Sequence, residues 1–131
     1  MSGLHTLLAL TLVVLLPCAC VHADVPGSTT VVSLSRVIDG SRPDADLCSS
    51  LTLSKAEVAR YFALADPVDG ITFHDEAVIL PCKFEGTLRR SGKSYHWEIL
   101  AGGAGYLFDG KTVNERYLCR ERCQKALPGL Q

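Results

Sequence analysis

Two short clusters set a histidine beside carboxylates: His74-Asp75-Glu76 and His96-x-Glu98. General acid–base chemistry needs two such groups with separated pKa values, held around a pocket. Linear spacing does not bring these two clusters together. The chain has no Ser-His-Asp order, no glycine-flanked nucleophile elbow and no His-Glu-x-x-His zinc motif. On a strand, His96 and Glu98 share the face opposite Trp97, so an inward tryptophan turns both towards solvent. They are read as surface polar residues. No catalytic residue is assigned, and neither enzymatic activity nor a cofactor is expected.

The run Ala101-Gly-Gly-Ala-Gly105 has the composition of a phosphate cradle. Such a cradle needs a helix N-terminus after it, where amides and dipole meet the anion. Tyr106-Leu107-Phe108-Asp109-Gly110 follows instead, a strand and a turn, so the glycines are read as a sharp strand connection. Six cysteines are present: Cys18, Cys20, Cys48, Cys82, Cys119 and Cys123. Zinc ribbons use paired Cys-x2-Cys knuckles, whereas this chain has one Cys-x3-Cys and isolated cysteines. Nor is there a Cys-x-x-Cys for thiol redox work. No metal ligand is assigned.

The position of the cysteines depends on the N-terminus. Leu7–Leu16 is an apolar run of about ten residues, half of what a spanning helix needs and the length of a signal-peptide core. Val21 and Ala23 are small residues at −3 and −1 of a cut before Asp24. Residues 1–23 are therefore expected to be a cleaved signal peptide, and 24–131 a single domain in the periplasm or secreted. Cys18 and Cys20 lie poorly for lipidation. Export leaves Cys48, Cys82, Cys119 and Cys123 in an oxidising compartment, so two disulfides are expected. Three pairings are possible. A Cys-x3-Cys bridge closes only a small loop, which favours a distant partner for each of Cys119 and Cys123.

The formal net charge is −1. That balance disfavours broad affinity for nucleic acid or an anionic membrane, and no integral membrane association is expected. Residues 37–80 are rich in Asp and Glu, and 83–131 in Lys and Arg. Attraction between the two halves within one fold accounts for this. An acidic face offered to a cationic partner is the alternative.

The elements that must carry these residues read as follows. Residues 30–37 form a first strand, and 38–47 a turn-rich loop. Ser54-Lys55-Ala56-Glu57 is a capping box, with Leu53 and Val58 at staple positions. Val58, Tyr61, Phe62 and Ala65 form one apolar stripe, and Asp66-Pro67 stops the helix near 55–65. From Gly70 the pattern has period two. Residues 78–90 give two strand-like halves broken at Pro81. Ser91-Gly92 is a hairpin turn, and 93–100 the returning strand, with Tyr95, Trp97 and Ile99 on one face. Residues 106–108, 111–113 and 117–119 supply further short strands, ending in a short helical or coiled C-terminus. The expected fold class is α+β: an antiparallel meander of about five or six strands with one amphipathic helix.

The stretch Leu80–Cys123 carries Cys82-Lys-Phe-Glu-Gly86, a basic Gly hairpin, His96-Trp-Glu-Ile leading to the glycine run, and a closing Tyr-Leu-Cys…Cys. It resembles small exported bacterial proteins, among which are periplasmic immunity proteins against toxins of secretion systems. Residues 101–106 are also similar to the Ser-Gly loop of periplasmic inhibitors of C-type lysozyme, without its serine, so no inhibitory residue is carried over. The resemblance implies an exported binding protein whose partner is another protein, a toxin enzyme. A structural or envelope-maintenance role is the alternative. The expected contact surface is an acidic loop at His74, Asp75 and Glu76, the strand face with His96 and Glu98, and the loop with Gly102, Gly103 and Gly105.

Overall fold

The computed structural model describes residues 27–131, so the expected signal peptide lies outside the described residues. In chain order the elements are β1 (Thr29–Val31), β2 (Ser35–Ile38), α1 (Lys55–Leu64), β3 (Asp66–Val68), α2 (Gly70–Glu76), β4 (Cys82–Arg90), β5 (Lys93–Leu100), β6 (Ala104–Asp109), β7 (Thr112–Leu118) and α3 (Glu121–Ala126). Short 3-10 turns occupy Ala45–Cys48 and Pro128–Leu130. One seven-stranded antiparallel sheet runs β1-β4-β5-β6-β7-β3, with β2 beside β1 on the outer edge of β4. The fold is α+β, as the pattern predicts.

Helix α1 forms where the capping box places it. The Ser54 hydroxyl accepts from the Glu57 amide, and the Glu57 carboxylate accepts from the Ser54 amide. Its stripe of Val58, Tyr61 and Phe62 packs on the inner face of the sheet, against Phe84, Leu88, Trp97, Ile99, Leu107 and Tyr117. Cys123, Leu127 and Leu130 from the C-terminal segment close the same core.

Three expectations are corrected. The single strand at 30–37 is two strands. Val32 and Ser33 both donate backbone N–H groups to the Thr87 carbonyl, which kinks the chain between β1 and β2. Gly86 permits the approach, since a Cβ there would lie 2.0 Å from the Ser33 carbonyl oxygen. Residues 78–81 form no strand, because Pro81 donates no amide and β4 begins at Cys82. Asp66-Pro67 does stop α1, and the chain then pairs with the end of β7 as β3.

The third correction is the segment after Gly70, where a helix replaces the expected period-two structure. The Asp69 carboxylate accepts from the Ile71 and Thr72 amides and from the Thr72 hydroxyl, and this starts α2. Only Phe73 of its seven residues is buried, which is too little for a 3.6 period to show in sequence. Phe73 packs on the outer face of the sheet with Leu100, Ala104 and Leu118, flanked by Val68, Ala77 and Tyr106. Among the described residues no helix is long and apolar enough to cross a membrane.

Candidate site on the outer sheet face

The β4–β5 hairpin positions the cluster. Ser91 (φ 50°) and Gly92 (φ 77°) both take positive φ, the backbone of a type I′ two-residue turn. Such a turn locks the register: Arg90 faces Lys93, Thr87 faces His96, and Glu85 faces Glu98. The period-two alternation then sends Lys83, Glu85, His96 and Glu98 to the outer face while Phe84 and Trp97 go inward.

Two carboxylates thus sit directly opposite each other on neighbouring strands, a placement that is unfavourable unless a cation intervenes. Lys83 is that cation. Its Nζ lies 3.0 Å from Glu85 Oε2 and 2.9 Å from Glu98 Oε1. Burial pulls the Lys83 pKa down, but the hydrogen bonds to Glu98 and then Glu85, with their charges, outweigh it, and the net shift is upward. His96 Nε2 stands 3.6 Å from Glu98 Oε1, beyond hydrogen-bond reach. Its ring is steadied by Phe108, with centroids 5.6 Å apart. Phe108 in turn meets Tyr106 at 5.6 Å, and Tyr106 meets Phe73 of α2 at 4.8 Å. An aromatic row therefore runs from the α2 contact to the charged cluster.

On the other side of Lys83 is a shallow, mainly apolar groove lined by Val37, Leu80, Pro81 and Leu100. Val37, in its lining, exposes 40% of its surface. The outer face thus combines an aromatic row, a half-buried charge cluster and an apolar edge, all set on or beside paired strands.

His96 and Glu98 fall in this cluster and are half-buried rather than freely solvated. His74 and Asp75 are exposed on α2, not on a loop. Glu76, at the end of α2, is bound by Arg120, whose Nε and Nη2 donate to its carboxylate at 2.8–3.2 Å. Asp66 joins the same guanidinium at 3.4 Å. This is the one described ion-pair cluster that ties the acidic first half to the basic second half.

The glycine run serves packing. Gly103 and Gly105 are buried, and only Gly102 is partly exposed. The Tyr61 hydroxyl donates to the Gly103 carbonyl at 2.8 Å, and a Cβ on Gly105 would come within 2.5 Å of that hydroxyl oxygen. Burial pushes the Tyr61 pKa upward, so the phenol remains a donor. Gly105 accordingly offers no contact surface, while Gly103 lines a shallow pocket with Gly102, Glu76 and Arg120.

Both expected disulfides are present, as Cys48–Cys82 and Cys119–Cys123. The preference for two long-range bridges is overturned: Cys119 and Cys123 pair with each other. Cys119 directly follows β7 and Cys123 lies in the first turn of α3, so a β-to-helix turn brings the two Cα atoms to 5.1 Å.

Sequence reasoning missed Lys83, Glu85, Tyr106 and Phe108. The signal for the first two was present. Once Ser91-Gly92 is taken as a two-residue turn, the hairpin register alone places Glu85 opposite Glu98. Comparison with known protein families, with curated proteins and with solved structures found no match.

Proposed function

We propose that this chain is an exported binding protein that blocks another protein, in the manner of periplasmic immunity proteins against toxin enzymes. The observation that carries the reading is the outer sheet face. It is held rigid by a seven-stranded sheet, yet beyond the patch covered by α2 it remains open. It combines aromatic rings, a charge cluster and an exposed apolar edge, the mixture found where proteins meet proteins. Two disulfides suit an oxidising compartment. The contact residues on this reading are His96, Glu98, Phe108 and Tyr106, with Val37 at the edge. His74 and Asp75 stand at its periphery on α2.

The test is capture of a partner from envelope extract by the folded protein, with identification by mass spectrometry. A Phe108→Asp variant that folds but captures nothing supports the assigned face. Equal capture by wild type and variant rejects that face. A chain lacking residues 1–23 should fail to protect cells from a periplasmic toxin, and full protection by it would reject the compartment.

A further inference from the structure

Glu85, His96 and Glu98 share a property that protein binding does not require. One donor atom from each lies within 4.8 Å of the donors of the other two. All three side chains stand on the two long strands β4 and β5, where the backbone ladder fixes their spacing. A four-coordinate ion with ligands at about 2.0–2.2 Å spaces its ligand atoms about 3.3–3.6 Å apart. Closing the triad around an ion therefore takes up to about 1.5 Å of approach between donor atoms, within reach of rotation of these partly exposed side chains. The His96 side chain makes no hydrogen bond to a described residue, so its imidazole is available as a ligand.

Lys83 shows where positive charge is favoured, because its ammonium already bridges both carboxylates. It is not an irreplaceable part of the site. Its side chain is one-third exposed, on a flexible four-carbon stem that can withdraw to water. A divalent ion neutralises both carboxylates, where the ammonium neutralises one charge.

We propose that Glu85, His96 and Glu98 form a divalent transition-metal site, occupied by Zn2+ with an open coordination position, and that Lys83 is its competing resident cation. One imidazole with two carboxylates is a donor set for zinc-like ions. Mg2+ and Ca2+ take oxygen ligands and gain nothing from the histidine. The assignment goes beyond the binding reading and stands or falls separately from it.

The experiment is calorimetric titration of the disulfide-bonded chain from Asp24 onward, which lacks His5, Cys18, Cys20 and His22, with Zn2+ in a non-coordinating buffer, alongside NMR of the histidine ring resonances. One saturable site is expected, with the His96 ring shifting and the His74 ring unmoved. Glu98→Gln and His96→Gln should each weaken binding by about tenfold or more, and His74→Asn should leave it unchanged. Lys83→Met should tighten binding, because the competitor is gone, and excess Mg2+ should not displace the zinc. Circular dichroism confirms that each variant folds. Zinc binding that survives both His96→Gln and Glu98→Gln overturns the proposal. So does the absence of saturable binding in Lys83→Met, where nothing contests the site.

Discussion

The two faces of the sheet are built on opposite plans. The inner face is sealed by α1, the C-terminal segment and the Cys48–Cys82 bridge, with Trp97, Tyr61 and Leu107 essentially inaccessible. The outer face has a cluster of four buried residues under one seven-residue helix, and then opens onto Lys83, Glu85, His96 and Glu98. Each of β4 and β5 serves both faces through alternate residues. Cohesion is concentrated on one side, which frees the other to hold groups that contribute little to stability.

Substitution of matched aromatics gives the largest test of that division. Trp97→Ala removes a fully buried side chain and should cost about 3–5 kcal/mol. Phe73→Ala, in the thinner outer cluster, should fall at the low end of that range, about 3 kcal/mol, because α2 can settle into part of the space. Urea denaturation measures both. Equal costs would mean that the outer cluster is as integral as the inner core. Trp97→Phe should be far milder than Trp97→Ala, since the indole N–H has no hydrogen-bond partner among the described residues to lose.

The disulfides sharpen the contrast by loop length. Cys48–Cys82 spans 34 residues and ties the segment before α1 to the start of β4. Chain entropy assigns it about 4 kcal/mol, against about 2 kcal/mol for Cys119–Cys123, which spans four. Paired Cys→Ala variants in thermal unfolding should show that order. The reverse order would place the energetic weight at the β7–α3 corner.

How much of this was legible follows from the same asymmetry. Helix α1 carries two signals, a capping box and a four-residue apolar stripe, and the structure matches both. The inward set Phe84, Leu88, Trp97 and Ile99 follows from alternation around a turn whose residues are plain in sequence. Helix α2 was not legible, since it buries one side chain and its Asp69-Gly70 start reads equally well as a turn. The Cys119–Cys123 pairing was missed because loop entropy ranks bridges by stability and is silent on which cysteines the chain brings together. Half of the candidate cluster was read as solvated polar residues, because pairing Glu85 with His96 and Glu98 depends on hairpin register rather than on any local motif.

Acid should separate the faces more gently. The Asp69 carboxylate is held below the usual range chiefly by the Thr72 amide, then by the Thr72 hydroxyl and the Ile71 amide. A lowered folded-state pKa gives stability that is complete above the ordinary carboxylate range and is lost as pH falls through the lowered value. Exchange protection of the α2 amides should therefore decline in acid before that of β4 and β5. Asp69→Asn keeps a capping oxygen but does not titrate, so it should flatten the acid dependence of α2 with little change at neutral pH. An unchanged acid profile in the variant would remove Asp69 as the cause.

Lys83→Met carries the smallest effect and bears most directly on the outer face. A partly exposed ion pair contributes about 0–1 kcal/mol, so loss of Lys83 should destabilise the fold by no more than that. The penalty should nevertheless be finite, because Glu85 and Glu98 then face each other with nothing between them. The folded-state pKa of Lys83 is raised, so its stabilising share is present at neutral pH and fades only as pH rises through that elevated value. The stability gap between wild type and variant should accordingly hold through neutral pH and close in strong alkali. Adding Glu85→Gln to Lys83→Met removes the repulsion and should restore most of the loss. If the double variant is instead weaker than Lys83→Met alone, Glu85 contributes something other than charge, and the outer face is more of a core than its exposure suggests.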